Sequence, residues 1–173
     1  NRHQTTSYAS LFAAQVRSHS MDPAHLPLID GDGIPPLLEL KHLYPPPIQI
    51  GAISTTPGAP TNAGLTSAYH NLGVPGALLQ DLTDTTRYVT NPYYALIQRG
   101  RGSIARQISD PTQMSPQPTF LLLEYGIGDL LRPALQGTTV GLLSVANFEI
   151  LFGRGLDELA ALLPNTKLAV VNV

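Results

Sequence analysis

Two short stretches of this sequence combine glycines with polar side chains at spacings that could do chemistry. One is Asn71-Leu72-Gly73-Val74-Pro75-Gly76-Ala77 and the other is Gly126-Ile127-Gly128-Asp129. Each lies at the end of an apolar run that reads as a strand, and in open α/β sheets ligands gather at the carboxyl ends of strands. The second stretch opens a helical pattern and begins like a dinucleotide fingerprint, but it fails at the third glycine, where Leu131 stands. Glu149 follows at about the right distance for the acidic ribose partner, yet it falls inside a helical segment. No cofactor is therefore expected, and the glycines read first as tight strand-to-helix turns. Asp30-Gly31-Asp32-Gly33 resembles a calcium loop, but Lys41 occupies its twelfth position and Pro35 and Pro36 break its backbone, so a plain turn is expected. The five histidines, His3, His19, His25, His42 and His70, include no pair spaced for one helix face, and no metal is expected. Arg99 and Arg101, set around Gly100 and Gly102, read as an exposed turn with the chemistry to hold an anion. Cysteine is absent, which removes disulfides, thiolate metal sites and cysteine nucleophiles together. There is no Walker loop, G-x-S-x-G elbow or H-E-x-x-H pair.

The elements that must position these turns follow from composition and periodicity. The 173 residues fit one domain with a sizeable core. Ten basic and twelve acidic residues give a formal charge of -2, which provides no electrostatic footprint for nucleic acid. Charged residues are only 13% of the chain, so much of the surface must be loop, interface or neutral polar. No apolar run is long enough to span a bilayer. A helix is predicted within 6–20, on an apolar stripe through Tyr8, Leu11, Phe12 and Val16 with Thr6 or Ser7 as its cap. Nine prolines then punctuate 21–68, which reads as one long loop pinned by its own leucines and isoleucines. From 69 onward the pattern becomes α/β. A short strand is expected at 69–74, helical pieces at 77–84, 92–98 and 103–109, and a strand covered on both faces at 119–125. A helix opening at 127–131 should be disturbed by Pro133, a helical stretch over 139–163 should break near Gly153 and Gly155, and a last buried strand should occupy 167–173.

On these residues the sequence resembles the SGNH (GDSL-type) ester hydrolases, most closely their long, envelope-associated branch in Bacteroidetes-type bacteria. The likeness runs over 6–173 and is carried by GLTSAYHNLGVPGA at 64–77, Asn91-Pro92-Tyr93-Tyr94, Pro118-Thr119-Phe120 with the strand after it, and Val171-Asn172-Val173. It implies a three-layer α/β/α flavodoxin-like parallel sheet with a long proline-rich excursion. In such enzymes a serine attacks an ester carbonyl, a histidine near the C-terminus takes its proton, and backbone and side-chain donors hold the oxyanion. The resemblance makes Gly76 the second-block glycine, with Asn71 and Gly73 beside it. It places the third block on Gly126 and Asp129, with Gly128 where the family has its oxyanion asparagine.

The rest of the family's apparatus is absent from these residues. There is no G-D-S, no histidine follows His70, and Gly128 cannot donate a side-chain hydrogen bond. Loss of one oxyanion donor costs about 10²–10³ in rate. The expectation is therefore an SGNH-like domain that is non-catalytic as it stands and serves as a binding or structural component of an envelope assembly, periplasmic, outer-membrane-associated or secreted. The alternatives are part of an active esterase or lipase whose serine and histidine lie elsewhere, and a nucleotide-binding α/β module. The likeness also implies a missing central strand between 69–74 and 119–125, which a protein partner or further chain would have to supply. A small ester is the implied ligand class.

Overall fold

The structure is a computed structural model that describes residues 7–17, 24–31, 38–42, 44, 49–52 and 58–171. Thr6, His3, His19, Asp32, Gly33 and the Asn172-Val173 end of the last strand, all named above, lie outside the described residues. The chain divides into two compact units, Asn1–Leu65 and Thr66–Val173. The described residues are mixed α/β, with two separate two-stranded sheets, one antiparallel and one parallel.

In the first unit, helix α1 spans Tyr8–Arg17. Ser7 caps it, its hydroxyl accepting from the Ser10 N–H at 3.3 Å while its carbonyl accepts from the Leu11 N–H at 2.9 Å. The stretch 21–68 is not all loop. Strands β1 (Leu38–His42) and β2 (Gln49–Ala52) pair antiparallel, Leu38 opposite Ala52 and Leu40 opposite Ile50, with an irregularity between Leu40 and His42. The prolines explain both the expectation and its failure. In sequence Pro45, Pro46 and Pro47 fall between the two strands and not within them, which leaves LELKH and QIGA free to pair. Glu39 and Lys41 form an exposed ion pair along β1. The segment is held by polar ties and not by the leucines and isoleucines expected to pin it, since Leu40 and Ile50 are exposed. Asn62 accepts from the Leu28 N–H at 3.2 Å and donates to the Leu26 carbonyl at 2.6 Å, and Ile29 bridges Pro60.

The second unit begins with an extended, buried segment. Ala68, Tyr69, Leu72 and Val74 are core residues, but 69–74 joins no ladder, contrary to the strand expected there. Tyr69, Leu72 and Val74 turn inward while His70 and Gly73 are exposed, and among the described residues no strand pairs with the segment. A 3₁₀ turn follows at Leu79–Leu82, shorter and tighter than the helix expected over 77–84. Helices α2 (Pro92–Gln98) and α3 (Ile104–Ser109) stand where the sequence places them, capped by Asn91 and Ser103. Pro92 takes the first helical position, where its missing N–H costs nothing.

Strand β3 (Phe120–Glu124) pairs parallel with β4 (Lys167–Val171), Leu121 beside Leu168 and Leu123 beside Val170. Helix α4 (Ile127–Gln136) and helix α5 (Val145–Leu162) lie between them in sequence. Leu121 and Leu168 share a hollow with Leu159 of α5 and with Leu163 just past its end, so one sheet face meets that helix. On the opposite face Leu122 and Val171 are 47% and 43% exposed, which corrects the expectation of strands covered on both sides. Pro133 sits inside α4 without ending it; the helix stops at Gly137, whose φ of 62° lets Gly137 and Thr138 close back on Ala134 and Pro133. Nor do glycines break α5, which runs unbroken from its Ser144 cap. Gly155 is there because the Tyr125 hydroxyl occupies the space: a Cβ would lie 2.1 Å from it. No helix among the described residues is long and apolar enough to cross a membrane.

Candidate functional site

The two glycine-rich stretches meet in the second unit. Asn71 closes an Asx-type turn, its side-chain oxygen accepting from the Gly73 N–H at 3.0 Å. The chain then turns at Val74-Pro75-Gly76-Ala77, with the Ala77 N–H on the Val74 carbonyl at 3.0 Å. Proline second and Gly76 third, at φ 74°, is the arrangement a type II turn demands. Asn91 braces this turn, donating to the Pro75 carbonyl at 2.9 Å while its oxygen caps α2 through the Tyr93 N–H at 3.0 Å.

The next two amides are held by carboxylates. Asp81 accepts from the Leu78 N–H at 2.9 Å, and Asp129 of α4 accepts from the Leu79 N–H at 2.8 Å. Asp81 is 1% exposed and also takes the Tyr94 hydroxyl at 2.7 Å, with Arg87 at 3.9 Å. Its other oxygen, Oδ1, has no partner among the described residues. Tyr88 stacks on Tyr94 at 4.0 Å and donates to the Asp81 carbonyl, and Tyr125 donates to the Leu79 carbonyl at 2.7 Å. Burial pushes the Tyr88 and Tyr125 hydroxyls up to about 12 and raises Tyr94 further. Asp129 is also raised, first by burial and then by the negative charge of Asp81, against the opposing pull of the Leu79 N–H.

Gly126 and Gly128 let the second stretch come this close. Gly126 has φ 97°, and a Cβ there would lie 2.8 Å from the Phe148 ring. At Gly128 a Cβ would lie 2.0 Å from the Ala77 carbonyl oxygen, so the backbone of 77–78 lies directly against α4. The structure thus brings Gly128 and Asp129 to the residues following Gly76, while Asn71 and Gly73 only shape the approach. The donors here are largely spent. The amides of Ala77, Leu78 and Leu79 are all bonded. A trans peptide points its N–H opposite to its C=O. The Gly76 N–H therefore points away from Asn91, which sits on the Pro75 carbonyl. These two donors do not converge on one point.

Arg99 and Arg101 are not an anion site in the arrangement seen. They donate to the Ser67 and Thr66 carbonyls, each at 2.6 Å, and the Arg99 guanidinium lies 4.0 Å over the Tyr69 ring. They staple the start of the unit. Asp30 ties to Ala59, 29 residues on, through both backbone and side chain, a link between two distant segments of the first unit. Among the described residues no group of three or more His, Cys, Asp or Glu could hold a metal.

Sequence reading missed the carboxylate clamp of Asp81 and Asp129 and its tyrosines. The one local signal was Asp81 three residues after Leu78, the spacing of a capping box. It also missed an open cleft of about 470 Å³ lined in part by Leu79, Asp84, Tyr125, Arg154 and Glu158. No family model matches this chain, and neither a curated protein nor a solved structure does.

Proposed function

We propose that this chain is an SGNH-fold protein, non-catalytic as it stands, that acts as a binding or structural component of an envelope assembly. The observation that carries the reading is the closed space at position 128. The family's oxyanion asparagine would stand there, and its Cβ alone would fall 2.0 Å from the Ala77 carbonyl. The spent amides of 77–79 support it further, because an oxyanion needs free donors about 3 Å away. In this reading β3 and β4 belong to a larger three-layer parallel sheet. The extended, buried, unladdered segment 69–74 and the half-exposed apolar face of β3 and β4 favour a partner strand that completes it. The envelope location rests on the family resemblance alone.

One observation favours the rival reading, part of an active ester hydrolase. Gly76 is an exposed residue on a well-formed turn, and its N–H makes no backbone hydrogen bond among the described residues. The two readings separate on hydrolysis of a short-chain p-nitrophenyl ester by the complete natural protein. Hydrolysis no faster than buffer is the expected result. Turnover that an organophosphate serine reagent abolishes would refute the proposal and establish the enzyme.

A further inference from the structure

The open cleft of about 470 Å³ in the second unit falls within the range of about 300–1,000 Å³ usual for small-molecule sites. Tyr125, the residue after β3, lines it, so the cleft stands at the carboxyl end of a parallel strand, where α/β sheets place their ligands. One wall is the turn that carries Leu79 and Asp84, and the other is α5. At about 3.6 residues per turn, Leu151, Arg154, Gly155 and Glu158 fall within an arc of about 100°, so one face of α5 forms that wall. The floor is fixed. Gly155 lets the Tyr125 hydroxyl close against the helix, and that hydroxyl donates to the Leu79 carbonyl at 2.7 Å. Three charged residues, Asp84, Arg154 and Glu158, line this space, and none forms an ion pair among the described residues. Asp84 accepts from the Thr86 N–H at 2.8 Å. The Thr86 hydrogen bonds hold the Asp84 carboxyl low and Arg154 adds to them, which places the guanidinium within electrostatic reach of the opposite wall.

We propose that this cleft binds a diamino monocarboxylic acid, a small molecule with one carboxylate and two ammonium groups. Two carboxylates and one guanidinium are the charge complement of such a ligand. Arg154 takes the carboxylate through paired N–H donors. Asp84, on the wall that Arg154 faces, takes the α-ammonium, which is borne by the carbon next to that carboxylate. Glu158 stands one turn further along α5, about 6 Å at a rise of about 1.5 Å per residue. It takes the second ammonium, carried at the end of a flexible aliphatic stem. The same set of charges rejects simpler molecules. A lone anion would meet two carboxylates, and a lone cation would leave Arg154 unanswered. Thr83 and Thr85 add hydroxyls to the lining, which suits a hydrophilic ligand and not a fatty one. This inference does not depend on the family resemblance.

The test is isothermal titration calorimetry of the 173-residue chain at neutral pH, with L-lysine as the probe. The expected result is saturable one-to-one binding. Norleucine lacks the distal ammonium, cadaverine lacks the carboxylate and Nα-acetyl-lysine lacks the α-ammonium. Each should bind at least about 10-fold more weakly than lysine. Glu158→Gln should erase the preference for lysine over norleucine, and Arg154→Gln the preference for lysine over cadaverine. Asp157 is an exposed carboxylate on the same helix, outside the cleft-facing arc, and Asp157→Asn should change neither preference. The ligand series on the parent chain reads the site even if a variant folds poorly. No saturable binding of lysine below about 10 mM, equal binding of lysine and norleucine, or an Asp157→Asn effect as large as that of Glu158→Gln would each overturn the proposal.

Discussion

Replacing Gly128 by alanine adds a single carbon at the point where the two glycine stretches touch. That carbon would lie 2.0 Å from the Ala77 carbonyl oxygen and 3.0 Å from its carbonyl carbon. An acceptable carbon–oxygen approach is about 3.3 Å, so the 77–79 backbone must retreat by about 1 Å or more. It cannot do so freely, because Asp81 and Asp129 hold the amides of Leu78 and Leu79 at 2.9 and 2.8 Å. Overpacking costs about 1–3 kcal/mol. Losing one hydrogen bond to a buried carboxylate adds about 1.5–3 kcal/mol. Better helix propensity returns about 1 kcal/mol. The net destabilisation is about 1.5–5 kcal/mol, a large part of a typical 5–15 kcal/mol. At about 2–4 °C per kcal/mol for a chain of this size, Tm should fall by roughly 3–20 °C. Gly153→Ala is the internal control. It is a helical glycine with nothing within 4 Å of its added carbon, and alanine there should stabilise by about 0.5–1 kcal/mol. Urea denaturation of both variants at neutral pH is the assay. A Gly128→Ala protein within about 0.5 kcal/mol of the parent would refute the reasoning, and with it the steric basis for excluding an asparagine there.

Asp129 and Tyr94 provide two further tests. Because the folded state raises the Asp129 pKa, folding favours its protonated form. That contribution is present below the unfolded value of about 3.9 and is lost as pH rises through the raised folded value. Asp129→Asn keeps an acceptor for the Leu79 N–H without the charge. It should be as stable as the parent or more so at pH 7, with the advantage vanishing toward the acid end of a urea-stability series. Tyr94→Phe removes the 2.7 Å donor to Asp81, whose Oδ1 already lacks a partner among the described residues. Loss of a hydrogen bond to a buried charge costs about 1.5–3 kcal/mol, which the same denaturation assay would detect.

Elements whose stop and start signals are local were legible in the sequence. Asn91-Pro92 and Ser103 mark α2 and α3 by side chains that cap the next turn, and the near-continuous apolar runs at 120–124 and 167–171 mark β3 and β4. Elements that depend on distant residues were not. The β1–β2 pair hid behind proline count, because density over 21–68 obscures where the prolines fall. Pro133 and Gly155 read as breakers, yet α4 keeps its proline, and Gly155 is demanded by a tyrosine 30 positions earlier. At the candidate site the glycines were legible as turns, and the resemblance paired Gly76 with Gly128. The clamp was not legible, since nothing near Asp129 in sequence indicates that its acceptor function is directed at Leu79, 50 residues away.

That span of 50 residues also shapes how the second unit comes together. Closing a loop of this length costs about 3.5 kcal/mol of chain entropy beyond the constant term. The bond from Leu79 to Asp129 and the one from Tyr125 to Leu79, 46 residues apart, become favourable only after that closure. The helices between them, α2 and α3, are only seven and six residues long, well below the about 12–15 residues at which an isolated helix becomes marginal in water. They therefore depend on the packing that the meeting of the two turns brings, and closure of this loop and formation of these helices support one another.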